Sequence, residues 1–154
     1  MRLLSYLVDG DPRYGAAVDG GVVDLTKRIG REFSDVKALI AANALAEALE
    51  AVTGQKPDYA LDKLTLLPPV LAPEKLWCIG VNYAERNAEY KDSSDLPKYP
   101  SLFVRSMSSM TGSGQPIEKP KVSEQLDYEG ELVIVIGQAA VISRAKRHGR
   151  TSSA

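Results

Sequence analysis

Two glutamates stand two residues apart in the segment LDYEGELVIVIG, residues 126–137. Side chains at positions i and i+2 of a β-strand leave the same face, so Glu129 and Glu131 would project together. The apolar run from Leu132 to Ile136 is typical of a strand covered on both faces. Carboxylates beside such cover repel each other and lose hydration unless a cation lies between them. A hard divalent ion such as Mg²⁺, Mn²⁺ or Ca²⁺ prefers these oxygen ligands.

The same pair has a simpler interpretation, which is a frayed strand end whose acids face water. Gly130, between the two glutamates, would let a ligand or another backbone approach closely. The E-x-E pattern is nevertheless common. On spacing alone, the solvent-exposed strand end is therefore the favoured interpretation.

Three other candidates for chemistry have structural interpretations. Cys78, the only cysteine, follows Trp77 in an apolar run and is typical of a small core residue rather than a nucleophile. His148, the only histidine, lies among basic residues and is interpreted as a solvated surface residue. The two glycines in residues 111–114, TGSG, lack the strand-and-helix context of a phosphate loop, so we predict a flexible loop there.

The elements that would position these residues form an α+β pattern. Residues 2–25 predict short strands, with an Asp-Gly hairpin signal at residues 19–20. Residues 34–53 predict one helix that begins after Ser34 as the N-cap and ends at Gly54. An apolar stripe runs along this helix and consists of Val36, Leu39, Ile40, Leu45, Leu49 and Val52.

A connector rich in proline and polar residues marks a soft boundary near residue 70, after a short extended segment at residues 63–67. Beyond it, residues 75–81 and 102–106 predict two strands, with a helix or helical turn over residues 82–90 between them. The strand over residues 126–136 would follow.

Composition excludes several classes of protein. The chain has 154 residues, 44% of them hydrophobic and 25% charged, which is ordinary for a globular protein. Its net charge of −1 gives no reason to expect nucleic acid or an anionic membrane as a partner. No apolar run approaches the roughly 18–20 residues that span a bilayer. With one cysteine and no signal-peptide pattern, we predict a cytoplasmic protein.

In combination, these segments resemble the fumarylacetoacetate hydrolase family. KLWCIGVNYAERNAEY, YPSLFVRS and GQPIEKPKVSEQLDYEGELVIVIG occur in the family's order, and the preceding region is similar to the small N-terminal domain of many bacterial members. The resemblance covers residues 1–137. It implies a small β-rich N-terminal domain at residues 1–70, followed at residues 71–137 by the first part of a mixed β-sandwich roll.

The resemblance also implies a function. Glu129 and Glu131 would be two of three carboxylates that bind a catalytic Mg²⁺ or Mn²⁺, or alternatively Ca²⁺. The metal would hold two oxygens of a dioxo-acid or 2-oxoacid and stabilise the enolate in C–C bond cleavage, isomerisation or decarboxylation. Hydrolysis of a C–C bond is the favoured reaction, and family members are usually homodimers. The resemblance replaces the solvent-exposed interpretation of the pair.

One departure from the family concerns the catalytic base. Hydrolytic members have the pattern N-Y-x-x-H-x-x-E, and Arg86 occupies the histidine position here. Arginine stays protonated and cannot act as a general base, so it argues against water activation more than against metal binding. Glu89 matches the partner glutamate. Arg105 is interpreted either as a partner for a substrate carboxylate or as a surface charge on an edge strand.

A second departure is the basic tail, residues 138–154, which contains four Lys or Arg residues and no acid. The family's third metal carboxylate, an aspartate beyond the E-x-E strand, has no counterpart in it. We expect a truncated product whose tail is translated out of frame or is disordered, and low solubility or partial disorder from about residue 70. The alternative hypothesis is a non-catalytic fragment that binds no metal tightly.

Overall fold

The computed structural model describes residues 1–83, 85, 95, 97–139 and the backbone of 152–153. It divides into two compact units, one of residues 1–71 and 111–154 and the other of residues 72–110. Strands outnumber helices in the described parts, which confirms an α+β fold. The sandwich roll and the predicted domain boundaries stay predictions.

A four-stranded antiparallel sheet forms the centre of the first unit, in the order β3-β2-β1-β4. The predicted Asp-Gly hairpin at residues 19–20 is confirmed, because Val18 pairs with Gly21 and Gly20 has a φ of 84°. β4 lies at the far edge and pairs with β1, a long-range pairing that no local pattern predicts. The strands are β1 (Arg2–Val8), β2 (Asp11–Val18), β3 (Gly21–Asp24) and β4 (Thr65–Leu67).

Three short helices pack in the same unit: α1 (Leu25–Ile29), α2 (Val36–Ala41) and α3 (Leu45–Val52). The prediction of one helix over residues 34–53 is wrong in its middle, because Asn43 adopts a φ of 56° and breaks it. The N-cap of α2 is Asp35 rather than Ser34, since the Asp35 carboxylate accepts a 2.8 Å hydrogen bond from the backbone N–H of Ala38.

The hydrophobic core of this unit lies between the sheet and the helices. Leu39 on α2 and Ala48 on α3 are fully buried, and Val52 follows Ala48 at the i+4 spacing that keeps both on one helix face. These residues pack against side chains from β2 and β3. The buried cluster consists of Tyr14, Ala16, Val23, Leu25, Val36, Leu39, Ala44, Ala48 and Val52.

Two aspartates connect the elements of this unit. Asp24, fully buried, accepts a 2.9 Å hydrogen bond from the backbone N–H of Lys27 and pairs with Arg13 at 3.3 Å. Asp58 accepts hydrogen bonds from the Asp24 backbone N–H at 2.8 Å and from Arg28 at 2.6 Å. Burial raises the pKa of Asp58, but these two donors outweigh it and the net pKa is lowered.

The second unit contains a two-stranded antiparallel sheet of β5 (Trp77–Gly80) and β6 (Ser101–Val104). The strand predicted over residues 75–81 is confirmed within its bounds, and the strand predicted over residues 102–106 is confirmed but begins and ends earlier. Cys78 is half-buried and free, so it has only part of the cover predicted for it. Several large apolar side chains on these strands are more than 40% exposed: Trp77, Ile79, Leu102, Phe103 and Val104.

The predicted strand over residues 126–136 is wrong over most of its length. Only β7 (Val135–Ile136) forms, paired with β8 (Ser152–Ser153). A strand exists through its hydrogen bonds to a neighbour. In the described part of the chain, this segment has such a neighbour only at its last two residues, so the preceding residues are irregular.

The TGSG segment also needs a correction. Gly112 is buried, and a side chain there would collide with the backbone carbonyl of Leu66 in β4. Its lack of a side chain therefore serves close packing rather than loop flexibility. Separately, none of the helices in the described residues is long and apolar enough to cross a membrane.

Candidate metal site

Glu129 and Glu131 lie in the irregular segment that precedes β7, and both are exposed. Neither belongs to a strand, so the prediction that their side chains leave the same strand face is wrong. Among the described residues, neither carboxylate forms a salt bridge. Both carboxylates are therefore on the surface of the described part of the chain.

The chemistry of the pair fits a hard divalent cation. Two carboxylates supply oxygen donors, and the intervening Gly130 has no heavy atom within 4 Å of where a Cβ would lie, so the space beside the backbone is open. Within the described residues, however, no group of three or more His, Cys, Asp or Glu side chains could hold a metal ion. The two carboxylates could therefore supply part, but not all, of the ligands of a metal ion.

Exposed apolar side chains flank the two carboxylates in the sequence. Tyr128, next to Glu129, is 88% exposed, and Leu132, next to Glu131, is 83% exposed. Side chains of this size are normally buried, so a run of them at the surface of the described residues is unusual. The environment that would desolvate the two acids is therefore not formed by the described residues around them.

Arg105, the predicted partner of a substrate carboxylate, directly follows β6. Its backbone N–H donates a 3.0 Å hydrogen bond to the carbonyl of Leu76, and its guanidinium lies 5.4 Å from the ring centroid of Phe103. The side chain is exposed, and no carboxylate of the described residues pairs with it. Its guanidinium is accessible to an anion, and its role stays a prediction.

Three of the sequence candidates fall outside the described residues. These are Arg86 and Glu89, from the N-Y-x-x-H-x-x-E pattern, and His148 in the basic tail. Their predicted roles stay predictions.

Val81, at the end of β5, was missed by sequence reasoning. Among the described residues, only three other than glycine have a positive φ: Asp9 at 53°, Asn43 at 56° and Val81 at 54°. Asp and Asn tolerate this left-handed region, whereas a β-branched side chain there is an outlier that costs about 1–3 kcal/mol. Valine is a strand-forming residue, so the sequence predicted that the strand would continue through it.

Comparison with known proteins adds three findings. A family model described as fumarylacetoacetate hydrolase, C-terminal, matches residues 75–150, a range that extends into the basic tail. The mitochondrial oxaloacetate tautomerase fahd2 of Xenopus laevis is 33% identical over 149 residues, which are 90% of this chain and 44% of that protein. Oxaloacetate tautomerase YisK of Bacillus subtilis is 39% identical over 83 residues, which are 53% of this chain and 28% of that protein.

A solved structure is also similar. It is described as an HpcE protein from Mycobacterium smegmatis, and it superposes with a TM-score of 0.72 at 24% identity. The match covers 99% of this chain and 52% of that chain, and it supports the fold alone. The chain spans less than half the length of the two tautomerases.

Proposed function

The chain belongs to the fumarylacetoacetate hydrolase family, and from that premise we propose that it acts in the metal-dependent keto–enol tautomerisation of a 2-oxoacid, with oxaloacetate as the first substrate to test. Two relatives are named oxaloacetate tautomerases, which supports this choice within the family's isomerase chemistry. The homodimer and the cytoplasmic location remain predictions.

Arg86 is the observation that favours tautomerisation over the C–C bond hydrolysis expected from the sequence. Hydrolysis needs a base that activates water, and a permanently protonated arginine cannot supply one. Tautomerisation breaks no C–C bond and uses no attacking water. It requires only that a proton leave carbon and a proton reach the carbonyl oxygen, so no atom is gained or lost.

In this proposal, each site residue has one task. Glu129 and Glu131 hold the divalent cation, Mg²⁺ or Mn²⁺. When bound, that cation supplies the positive charge that polarises the substrate carbonyl and lowers the energy of the enol. Arg105 pairs with a substrate carboxylate as a charge-assisted partner. Glu89 takes the proton from the substrate carbon, which a carboxylate can do without a histidine beside it.

The test is the rate of oxaloacetate keto–enol exchange, followed by ultraviolet absorbance with Mn²⁺ present. We expect a protein-dependent rate that falls about 100-fold in Glu89→Gln, the order of magnitude for loss of a general base. Glu124→Gln is the matched control, because Glu124 is an exposed carboxylate near the pair with no assigned role. A wild-type rate equal to that of Mn²⁺ alone would contradict the proposal.

The second candidate function is the non-catalytic fragment. It is favoured by the exposure of Glu129 and Glu131 and by the presence of only this carboxylate pair at the site in the described residues. The two candidates differ in metal affinity as well as in turnover, so a metal titration separates them even without a substrate.

A further inference from the structure

We propose that residues 57–59, which we call the strap, are an acid-sensitive cover of the outer edge of β3, held closed by the Asp58 carboxylate. β3 is the last strand of the four-stranded sheet, so only one of its two sides pairs within the sheet. All four of its residues are nevertheless buried. Because an open strand edge is exposed to water and to pairing with another chain, this burial requires a cover from outside the sheet.

The strap covers β3 through its backbone. The N–H of Val22 donates a 2.8 Å hydrogen bond to the carbonyl of Tyr59, and the N–H of Asp58 donates a 2.8 Å hydrogen bond to the carbonyl of Val22. Val22 and Tyr59 thereby form an isolated antiparallel bridge. The approach is close, because a side chain at Gly21 would collide with the Tyr59 carbonyl. The strap therefore takes the position of a fifth strand.

The Asp58 carboxylate adds charged contacts that hold the strap closed. It accepts hydrogen bonds from the Asp24 backbone N–H at 2.8 Å and from Arg28 at 2.6 Å, and the Nζ of Lys27 lies 3.6 Å away. The same Nζ lies 4.5 Å from the ring centroid of Tyr59. One carboxylate, whose side chain is 18% exposed, thus joins the strap to both β3 and α1.

The remaining charged or titratable groups near Asp58 lie on β1, β2, β3 and the strap itself. The Asp24 carboxylate pairs with Arg13 at 3.3 Å, and the ring of Tyr6 meets that of Tyr59 edge-on, with centroids 6.0 Å apart. Because the Asp24 carboxylate already has its own partners in Arg13 and the N–H of Lys27, Arg28 and the Asp24 N–H are left to Asp58.

These contacts make closure of the strap depend on pH. Burial alone would raise the pKa of Asp58, but the hydrogen bonds from the Asp24 backbone and from Arg28 outweigh it and hold the pKa below its ordinary value of 3.8. In an open strap the carboxylate returns to that ordinary value. Its contribution to closure is therefore complete above about pH 5, and it is lost as the pH falls through 3.8 towards the lower pKa of the closed state.

Hydrogen–deuterium exchange of the full chain tests the strap, since the Val22 amide is protected only while the strap is closed. The readout is the protection factor, which corrects for the pH dependence of intrinsic exchange. Between pH 5 and pH 3 we expect a fall of about fivefold at Val22, while amides of the β1–β2 ladder keep their protection. If Val22 and the ladder amides lost protection together, the sheet would open as a whole and the proposal would be overturned.

Asp58→Asn removes the charge and keeps the shape of the side chain. At pH 7 it should lower the protection factor of Val22 about tenfold, the order of magnitude for one hydrogen bond to a charged group, with no further fall between pH 5 and pH 3. Asp62→Asn is the matched control, because Asp62 is exposed and pairs with Lys63 at 3.8 Å, and it should behave as wild type.

An Asp58→Asn protein that kept the wild-type fall between pH 5 and pH 3 would overturn the proposal, because another group, such as Asp24, would then be responsible. If Asp58→Asn does not fold, the wild-type pH series decides by itself, through the comparison of Val22 with the β1–β2 ladder.

Discussion

The N-terminal sheet with its covering helices and the E-x-E segment both contain large apolar side chains, but these lie in opposite environments. Val22 and Leu39 are fully buried, whereas Leu132 and Tyr128 are 83% and 88% exposed. The first region pairs its strands with one another and covers them with its own helices. In the described residues, the second has a strand partner only at its last two positions. Apolar composition therefore predicts that a segment needs cover, but not which residues supply it.

Truncating one leucine in each region tests this difference in packing. Leu39→Ala should lower the free energy of unfolding by about 3 kcal/mol, because it removes buried methyl groups and leaves a cavity. The matched variant Leu132→Ala should change it by no more than about 0.5 kcal/mol, since that side chain is already in solvent. Urea unfolding of both variants measures the difference, and equal losses would show that the second region is packed.

A smaller loss in the free energy of unfolding is expected when the polar network that connects the elements of the first unit is disrupted. Asp24→Ala should lower the free energy of unfolding by about 2 kcal/mol, because it removes the N-cap of α1 and the salt-bridge partner of Arg13. Asp62→Ala is the control, since Asp62 pairs with Lys63 at 3.8 Å with its side chain 75% exposed. If thermal unfolding shifted equally in the two variants, the buried network would have no special role in stability.

The smallest predicted effect is on how stability changes at alkaline pH. Burial, and then the charges of Asp35 and Asp24, raise the pKa of Tyr14 to about 12. An unfolded tyrosine loses its proton near pH 10, so the stabilisation from neutral Tyr14 is complete below about pH 10 and is lost as pH rises towards 12. Tyr14→Phe should therefore flatten the loss of stability between those values.

Tyr128→Phe is the control for that pH series. The Tyr128 side chain is 88% exposed, so its substitution should leave the pH dependence of unfolding unchanged. A flattening of similar size in both variants would mean that burial of Tyr14 is not the cause.

The parts of the fold that the sequence predicts correctly are those set by local chemistry. The Asp-Gly turn at residues 19–20 specifies the β2–β3 hairpin, and Gly54, with a φ of 71°, follows the last helix as predicted. Asn43 is a similar signal for the end of a helix, because asparagine follows glycine as the residue found in the left-handed conformation there. The prediction of one continuous helix did not use it.

The missed parts depend on residues far apart in the chain. Asp58 lies 34 residues from Asp24, and neither residue has a local pattern that predicts their hydrogen bond. The close approach of Gly112 to Leu66 likewise requires two distant segments to meet. The prediction at Val81 fails for a different reason, because valine favours a strand and the residue adopts a left-handed backbone conformation instead.

For the candidate site, spacing alone left two interpretations of the E-x-E pair, and only the family resemblance decided between them. The structure places Glu129 and Glu131 in an exposed irregular segment. The two side chains share a face only if the segment is a strand, and a strand requires a neighbouring strand that the local sequence does not identify. The residue types were therefore informative about chemistry, whereas the geometry was not predictable from the segment itself.

The most direct test of the central claim, that Glu129 and Glu131 hold a divalent cation, is calorimetric titration with Mn²⁺. Wild type and Glu124→Gln should both release binding heat, and Glu129→Gln and Glu131→Gln should each lose it, with circular dichroism showing unchanged secondary structure in all four proteins. Each carboxylate is required because a pair of oxygen donors loses half its charge when one becomes an amide. Binding heat that survives in both Glu129→Gln and Glu131→Gln would contradict the assignment of the cation to this carboxylate pair.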